Sequence, residues 1–298
     1  MMFDVIKHKT IFLGFAGLLV IAGVVSMSVF GFRLGVDFTG GSLWQLMIPN
    51  SNSGQIQEFF KSEIKSIPLS IAFDSGAGVY AVTLKEISDS DRQSYFGLIK
   101  SKFSDAKDLD FWSISSSVSA DLRQKAIWGV VLVMLGISLY VAYVFRKVSR
   151  PISSWKYGLI TLITLAHDVI IPAGVFAALG KFVGVTVDTN FIVALLVVMG
   201  FSVHDTIVVF DRIRENLLLT RGDAELSAIV NKSVNETFIR SLNTSLTLIM
   251  VLVALYLLGP VNLKFFILTM LIGTIMGTYS SIFVASPLLV VAQKLSRR

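Results

Sequence analysis

Six long apolar runs punctuate the chain: Ile11 to Phe32, Ala126 to Phe145, Tyr157 to Gly180, Phe191 to Phe210, Phe238 to Leu258 and Phe265 to Ala292. A helix needs about 20 such residues to cross about 30 Å of hydrocarbon, so the pattern predicts six transmembrane helices. The first run invites a signal-peptide reading, but its 22 uncharged residues exceed the usual core of about 7 to 15. It is read as an uncleaved span.

Residues 33 to 125 break the pattern, with 10 Lys or Arg and 11 Asp or Glu. Ser42 to Ile48 reads as a strand and Gly54 to Ser66 as a helix; Gly78 to Leu84 reads as a strand after turn residues around Ser75 and Gly76. Asp89 to Phe103 reads as a second helix, Lys107 to Ile114 as a closing strand, and Ser70 to Phe73 as one more strand. That order predicts a small α+β sandwich of the ferredoxin-like kind. The chain thus divides into residues 1-32 (N-terminus and first span), 33-125 (inserted domain) and 126-298 (five further spans and C-terminus).

Composition agrees: of 298 residues, 54% are hydrophobic and 15% charged, against about 25% charged in an ordinary soluble domain. The net charge of +6 would suggest nucleic acid in a soluble protein, so its placement matters. The N-terminus, the 146 to 156 loop, the 211 to 237 loop and the C-terminus carry 13 Lys or Arg; the short loops opposite carry only Lys181 and Lys264. Basic residues in short loops stay inside, so both termini are placed in the cytoplasm and residues 33 to 125 outside it. The basic excess is a topology signal, and no nucleic-acid partner is expected. With no cysteine, disulfides and thiolate chemistry are excluded together.

Charged groups inside a bilayer cost about 2.5 kcal/mol or more each and usually have partners or jobs. Five ionisable residues fall within the spans: His167 and Asp168 in the third, His204 and Asp205 in the fourth, and Arg240 in the fifth. By helical rise, Asp205 and Arg240 differ in depth by about 5 Å, within an arginine's reach, so they are expected to pair. The pair is either a static tie between helices or a carboxylate that exchanges protons as the pair opens and closes. His167 and Asp168 are candidate supporting polar groups, with simple helix packing as the alternative. An aspartyl-protease dyad lacks its Gly-x-Gly-Asp and Tyr-Asp signatures, since Gly200-Phe201-Ser202-Val203-His204 precedes Asp205. The two His-Asp pairs lack metal-type spacing, so no metal and no cofactor is expected beyond protons as coupling ion. Gly35-Val36-Asp37-Phe38-Thr39-Gly40-Gly41 has no Lys-Ser/Thr ending and reads as a backbone turn. Gly273, Gly277, Ser281 and Ala285 form a small-residue stripe on the last span, suited to close helix packing within this chain or against a partner subunit.

Four blocks in order, Gly35 to Ser42 (GVDFTGGS), Val208 to Asn216 (VVFDRIREN), Asn243 to Ser245 after Arg240, and Gly277 to Pro287 (GTYSSIFVASP), make the chain resemble the SecF side of the SecD/SecF protein-export family. The resemblance covers essentially the whole chain. It implies a membrane all-α six-helix bundle, half of a twelve-helix unit of the resistance-nodulation-division type, with the ferredoxin-like domain inserted outside the cytoplasm. It also implies an inner-membrane protein partnered by SecD, the SecYEG translocon, translocating preproteins and membrane lipid, and using the proton-motive force for late translocation without being an enzyme. The family's proton-linked Asp and Arg fall on Asp205 and Arg240. One departure is His204, where the family commonly has Asn; an imidazole there adds a group that titrates near neutrality. A half-size efflux transporter and a passive scaffold for the channel are the alternative functions.

Overall fold

A computed structural model describes residues 4–64, 68, 70–74, 78–147, 152–220, 225–260 and 263–296. The turn expected at Ser75 and Gly76, and the topology-signal residues Arg150, Arg221, Arg297 and Arg298, lie outside the described residues. In chain order the elements are α1 (Lys9–Phe30), α2 (Val36–Thr39), β1 (Gly41–Met47), α3 (Ser53–Ser62), β2 (Ser70–Asp74), β3 (Val79–Leu84), α4 (Asp89–Lys102) and β4 (Lys107–Ile114). There follow α5 (Ser116–Val144), α6 (Ser154–Phe182), α7 (Thr189–Leu219), α8 (Leu226–Leu258), α9 (Lys264–Ser280), a π-helical turn (Ser281–Ala285) and α10 (Ser286–Ser296). They sort into two compact units, one of residues 33–127 with 184–189 and one of residues 1–32, 128–183 and 190–298.

In the smaller unit the strands form one antiparallel sheet in the order β2-β3-β1-β4, the ferredoxin-like arrangement expected from the strand and helix order. Strict alternation builds its core. Trp44 and Leu46 of β1, with Tyr80, Val82 and Leu84 of β3, are buried against Ile56, Phe59 and Phe60 of α3 and Ile99 of α4. Both helices start at capping boxes: Asn52 accepts from the Gln55 backbone N–H at 2.8 Å, and Ser88 accepts from that of Asp91 at 3.1 Å. The buried Trp44 indole donates to Asp108 at 2.9 Å, and Arg92 holds that carboxylate from the other side at 2.7 Å.

The GVDFTGGS block is a backbone device. Gly40 and Gly41 adopt φ of 76° and 121°, a region that side chains other than hydrogen rarely enter. At Gly41 the chain also runs against the Leu84 carbonyl, so only glycine fits where α2 turns into β1. Asp37 accepts from the backbone N–H of Thr189, first residue of α7, at 2.8 Å, satisfying one of the donors a helix start leaves open.

In the larger unit six helices are long and apolar enough to cross a membrane. α6, α7 and the last span bury much of their length, whereas α1, α5 and α8 expose most of theirs. Two crossings depend on missing side chains. Gly174 of α6 sits directly on Gly23 of α1, where Ser26 donates to the Gly174 carbonyl at 2.6 Å. Gly158 of α6 lies against Ser138 and Ala142 of α5, with Ser138 donating to its carbonyl at 2.6 Å. At one end, Arg212 and Asn216 of the VVFDRIREN block clasp Glu236 of α8 at 2.7 and 2.8 Å. The last span, expected as one regular helix, contains the π-helical turn. Pro287 supplies no backbone N–H and crowds the preceding turn, and a π-helical turn accommodates such a residue without ending the helix.

Candidate functional site

All residues of the candidate site belong to the larger unit, where two carboxylates lie buried among apolar helices. Asp168, with 0% of its surface exposed, comes from the middle of α6. It accepts from Ser202 of α7 at 2.5 Å, from Ser280 of α9 at 2.8 Å and from Nδ1 of its neighbour His167 at 2.8 Å. His167 is 4% exposed, its ring lies roughly parallel to that of Tyr279 at 6.3 Å, and its Nε2 has no hydrogen-bond partner among the described residues.

Asp205, 2% exposed, stands on α7 three residues after Ser202, so both project from one face of the helix. Its side-chain donor is Ser245 of α8 at 3.2 Å, and Thr278 of α9 in turn donates to Ser245 at 2.6 Å. The last span therefore reaches both carboxylates within three residues, through Thr278 to one and Ser280 to the other.

The expected ion pair is absent from the chain: among the described residues Asp205 has no ion-pair partner, and the Arg240 side chain is exposed without hydrogen-bond or ion-pair partner. The reason is angular. Axial rise places the two residues at similar depth, but about 140° of helical rotation separates Arg240 from Ser245, the α8 residue that faces Asp205. His204 is exposed too, on the far side of α7 from Ser202 and Asp205. Sequence reasoning thus found both carboxylates but missed the hydroxyls that hold them; Ser202, Ser245, Thr278 and Ser280 carry no charge to mark them in an apolar run.

The small-residue stripe meets α7 inside the chain. A Cβ added at Gly273 would overlap Val198, and one at Gly277 would lie 2.8 Å from Ser202 Cβ. Ser281 and Ala285 are buried in the π-helical turn. Among the described residues no three His, Asp or Glu side chains converge as metal ligands would.

Six apolar helices, a ferredoxin-like insertion and hydroxyl-held carboxylates at the helix crossings define a class of membrane protein whose relatives can be sought by sequence and by shape. Residues 96–295 match the family of the SecD/SecF protein-export membrane protein C-terminal region, and residues 25–46 match the SecD/SecF GG motif. The chain belongs to the SecD/SecF family, and within it falls with the SecF subunits of the protein translocase. The SecF subunit of Thermobaculum terrenum is 40% identical over 97% of this chain and 93% of its own length. That of Alicyclobacillus acidocaldarius is 33% identical over 96% and 91%. The crystal structure of SecDF from Thermus thermophilus matches with a TM-score of 0.86 at 31% identity, covering 99% of this chain and 39% of that one. A second SecDF structure, in a super-membrane-facing form, gives 0.66 at 29% identity over 100% and 40%. The chain therefore spans about two fifths of the length of those SecDF proteins.

Proposed function

We propose that this chain is a proton-driven accessory subunit of protein export in the bacterial inner membrane, working with SecD to promote late preprotein translocation through the SecYEG channel. Both termini lie in the cytoplasm in this reading, and the ferredoxin-like domain lies on the opposite side. The observation that carries it is Asp205: a carboxylate 2% exposed within an apolar span and, among the described residues, held by one serine and by no lysine or arginine. Such a group can gain and lose a proton without first breaking a buried ion pair.

A partner is supported by the exposed polar residues. His204, Arg240 and Asn243 lie on the outer surfaces of α7 and α8 within apolar segments, where lipid would leave them unsatisfied. The matching SecDF chains carry additional length, and in this reading a companion subunit supplies its counterpart. Approach of Arg240 to Asp205 then favours proton release, and withdrawal favours uptake. The proton-motive force supplies about 2.3 kcal/mol per charge for each 100 mV, enough to bias a two-state change.

The test is export into inverted membrane vesicles with and without a proton gradient. Asp205→Asn keeps the shape but fixes the site as neutral; it should abolish the gradient-dependent increment and leave complex assembly intact. Arg240→Lys should be impaired less than Arg240→Met, because it keeps a charge without the guanidinium fork. Full gradient stimulation in Asp205→Asn would reduce the chain to a passive scaffold.

A further inference from the structure

We propose that the His167–Asp168 pair is a second proton-binding site, coupled to Asp205 through α7 and the hydroxyl-bearing turn Thr278–Ser281. The inference rests on the reading of Asp205 as a proton-exchanging group.

Asp168 accepts three hydrogen bonds, which compensate an ionised carboxylate without any lysine or arginine. With Asp168 ionised, His167 must carry its hydrogen on Nδ1, because that nitrogen faces carboxylate oxygen at 2.8 Å. Nε2 then holds a bare lone pair. It is buried and has no donor among the described residues, which makes it an orphaned acceptor able to take a proton. One proton added at Nε2 converts a neutral imidazole beside a carboxylate into an imidazolium–carboxylate pair, taking the net charge from minus one to zero. Release is the reverse, and no other bond is made or broken.

The surroundings contain few competing charges. α7 presents Ser202, with Asp205 one turn further; α9 presents Ser280 and Tyr279; α1 presents the Phe12 carbonyl, to which the Tyr279 hydroxyl donates at 2.8 Å. No lysine or arginine is paired with Asp168 or Asp205 among the described residues.

The coupling follows from hydroxyls that have one hydrogen and two acceptors. Ser280 reaches Asp168 at 2.8 Å or the Gly277 carbonyl at 3.1 Å. Ser245 reaches Asp205 at 3.2 Å or the Ser241 carbonyl at 2.9 Å. A carboxylate whose charge is cancelled, by an imidazolium beside Asp168 or by a proton on Asp205 itself, holds its hydroxyl donor less strongly, and the donor can turn to the backbone carbonyl instead. Because Ser280 and Thr278 share one turn beside the π-helical segment, and Ser202 and Asp205 share one turn of α7, loading either site alters the elements that hold the other.

The experiment compares Asp168→Asn, His167→Asn and Asp205→Asn in the complex with the companion subunit, measuring gradient-dependent export across pH and complex recovery from detergent. Asp168→Asn should lose the gradient-dependent increment by about tenfold or more with recovery unchanged. His167→Asn keeps an N–H toward Asp168 but removes the second nitrogen; it should move the pH profile of export by about one unit. A structural tie alone would leave that profile in place, and an unmoved profile overturns the proposal. If Asp168→Asn fails to assemble, Ser280→Ala, which leaves two donors on the carboxylate, decides by the same profile. Loss of stimulation in Asp205→Asn with full stimulation in Asp168→Asn sinks the second site and spares the first; full stimulation in Asp205→Asn sinks the proposed function itself.

Discussion

Replacing Gly277 by alanine tests whether the small-residue stripe binds this chain to itself or to a partner. The added Cβ would stand 2.8 Å from Ser202 Cβ, about 0.6 Å inside ordinary contact, and 3.3 Å from the Ser202 backbone. Backbone cannot swing aside as a long side chain can, so α7 and α9 must part by roughly that amount. Overpacking of this kind costs about 1–3 kcal/mol. Even if the whole shift fell on the Ser202 bond to Asp168 of α6, 2.5 Å long, it would reach about 3.1 Å and survive. The cost therefore falls on helix packing and leaves the hydrogen bond standing. Gly200 provides the contrast: it lies on the exposed side of α7 with nothing within 4 Å of an added Cβ. Thermal unfolding in mild detergent, followed by tryptophan emission, should show Gly277→Ala less stable and Gly200→Leu unchanged. Copurification of the companion should show the reverse, with Gly200→Leu weakened and Gly277→Ala normal per folded molecule. Normal stability with lost copurification for Gly277→Ala would place the stripe at the subunit interface and refute the reasoning.

Two further outcomes follow from single residues. A cysteine replacing the exposed Ser90 on α4 should react with an impermeant reagent in cells whose outer barrier is open, and labelling only after the inner membrane is broken would invert the topology. Asp37→Ala should cost about 0.5–2 kcal/mol through loss of its bond to the Thr189 N–H, whereas Asp37→Asn, which keeps an acceptor, should cost less; equal losses in thermal unfolding would show that the bond to Thr189 is not what matters.

The spans were legible because hydrocarbon demands a composition that little else does. Their helical extensions were not. α5 begins at Ser116 and α8 at Leu226, each well before its apolar run, since a helix continues into water wherever packing and hydrogen bonds support it. β1 and β3 were legible from period-two alternation, and β4, which lacks it, still fell on Lys107–Ile114 as expected. At the site, charge inside apolar runs exposed Asp168, Asp205 and Arg240 to sequence reasoning. What failed was the assumption that equal depth means contact, because depth fixes one coordinate of a helical residue and azimuth fixes the other. Serine and threonine escaped notice for a different reason: each can satisfy its own hydroxyl on the preceding turn, so their presence in a span demands no explanation.

The missing ion pair bears on how a proton could move at all. Separating a buried pair so that one charge stands alone costs about 3–5 kcal/mol, more than the roughly 2.3 kcal/mol that 100 mV supplies per charge. An Asp205 locked permanently onto Arg240 would hold its proton off at any ordinary gradient. A hydrogen bond to a charged group is worth only about 1.5–3 kcal/mol, within the range that the gradient can offset. Asp205 is held in that second way, by Ser245 at 3.2 Å, while Arg240 faces outward from α8. If Arg240 takes part in the proposed proton exchange, its guanidinium acts transiently. In the proposed mechanism it would approach to expel the proton and withdraw to admit the next, and between those moments its charge would need an acceptor. A carboxylate on a companion subunit, set against the exposed side of α8, would meet that need. The proposed proton exchange would on this reasoning be complete only when two subunits share one cation.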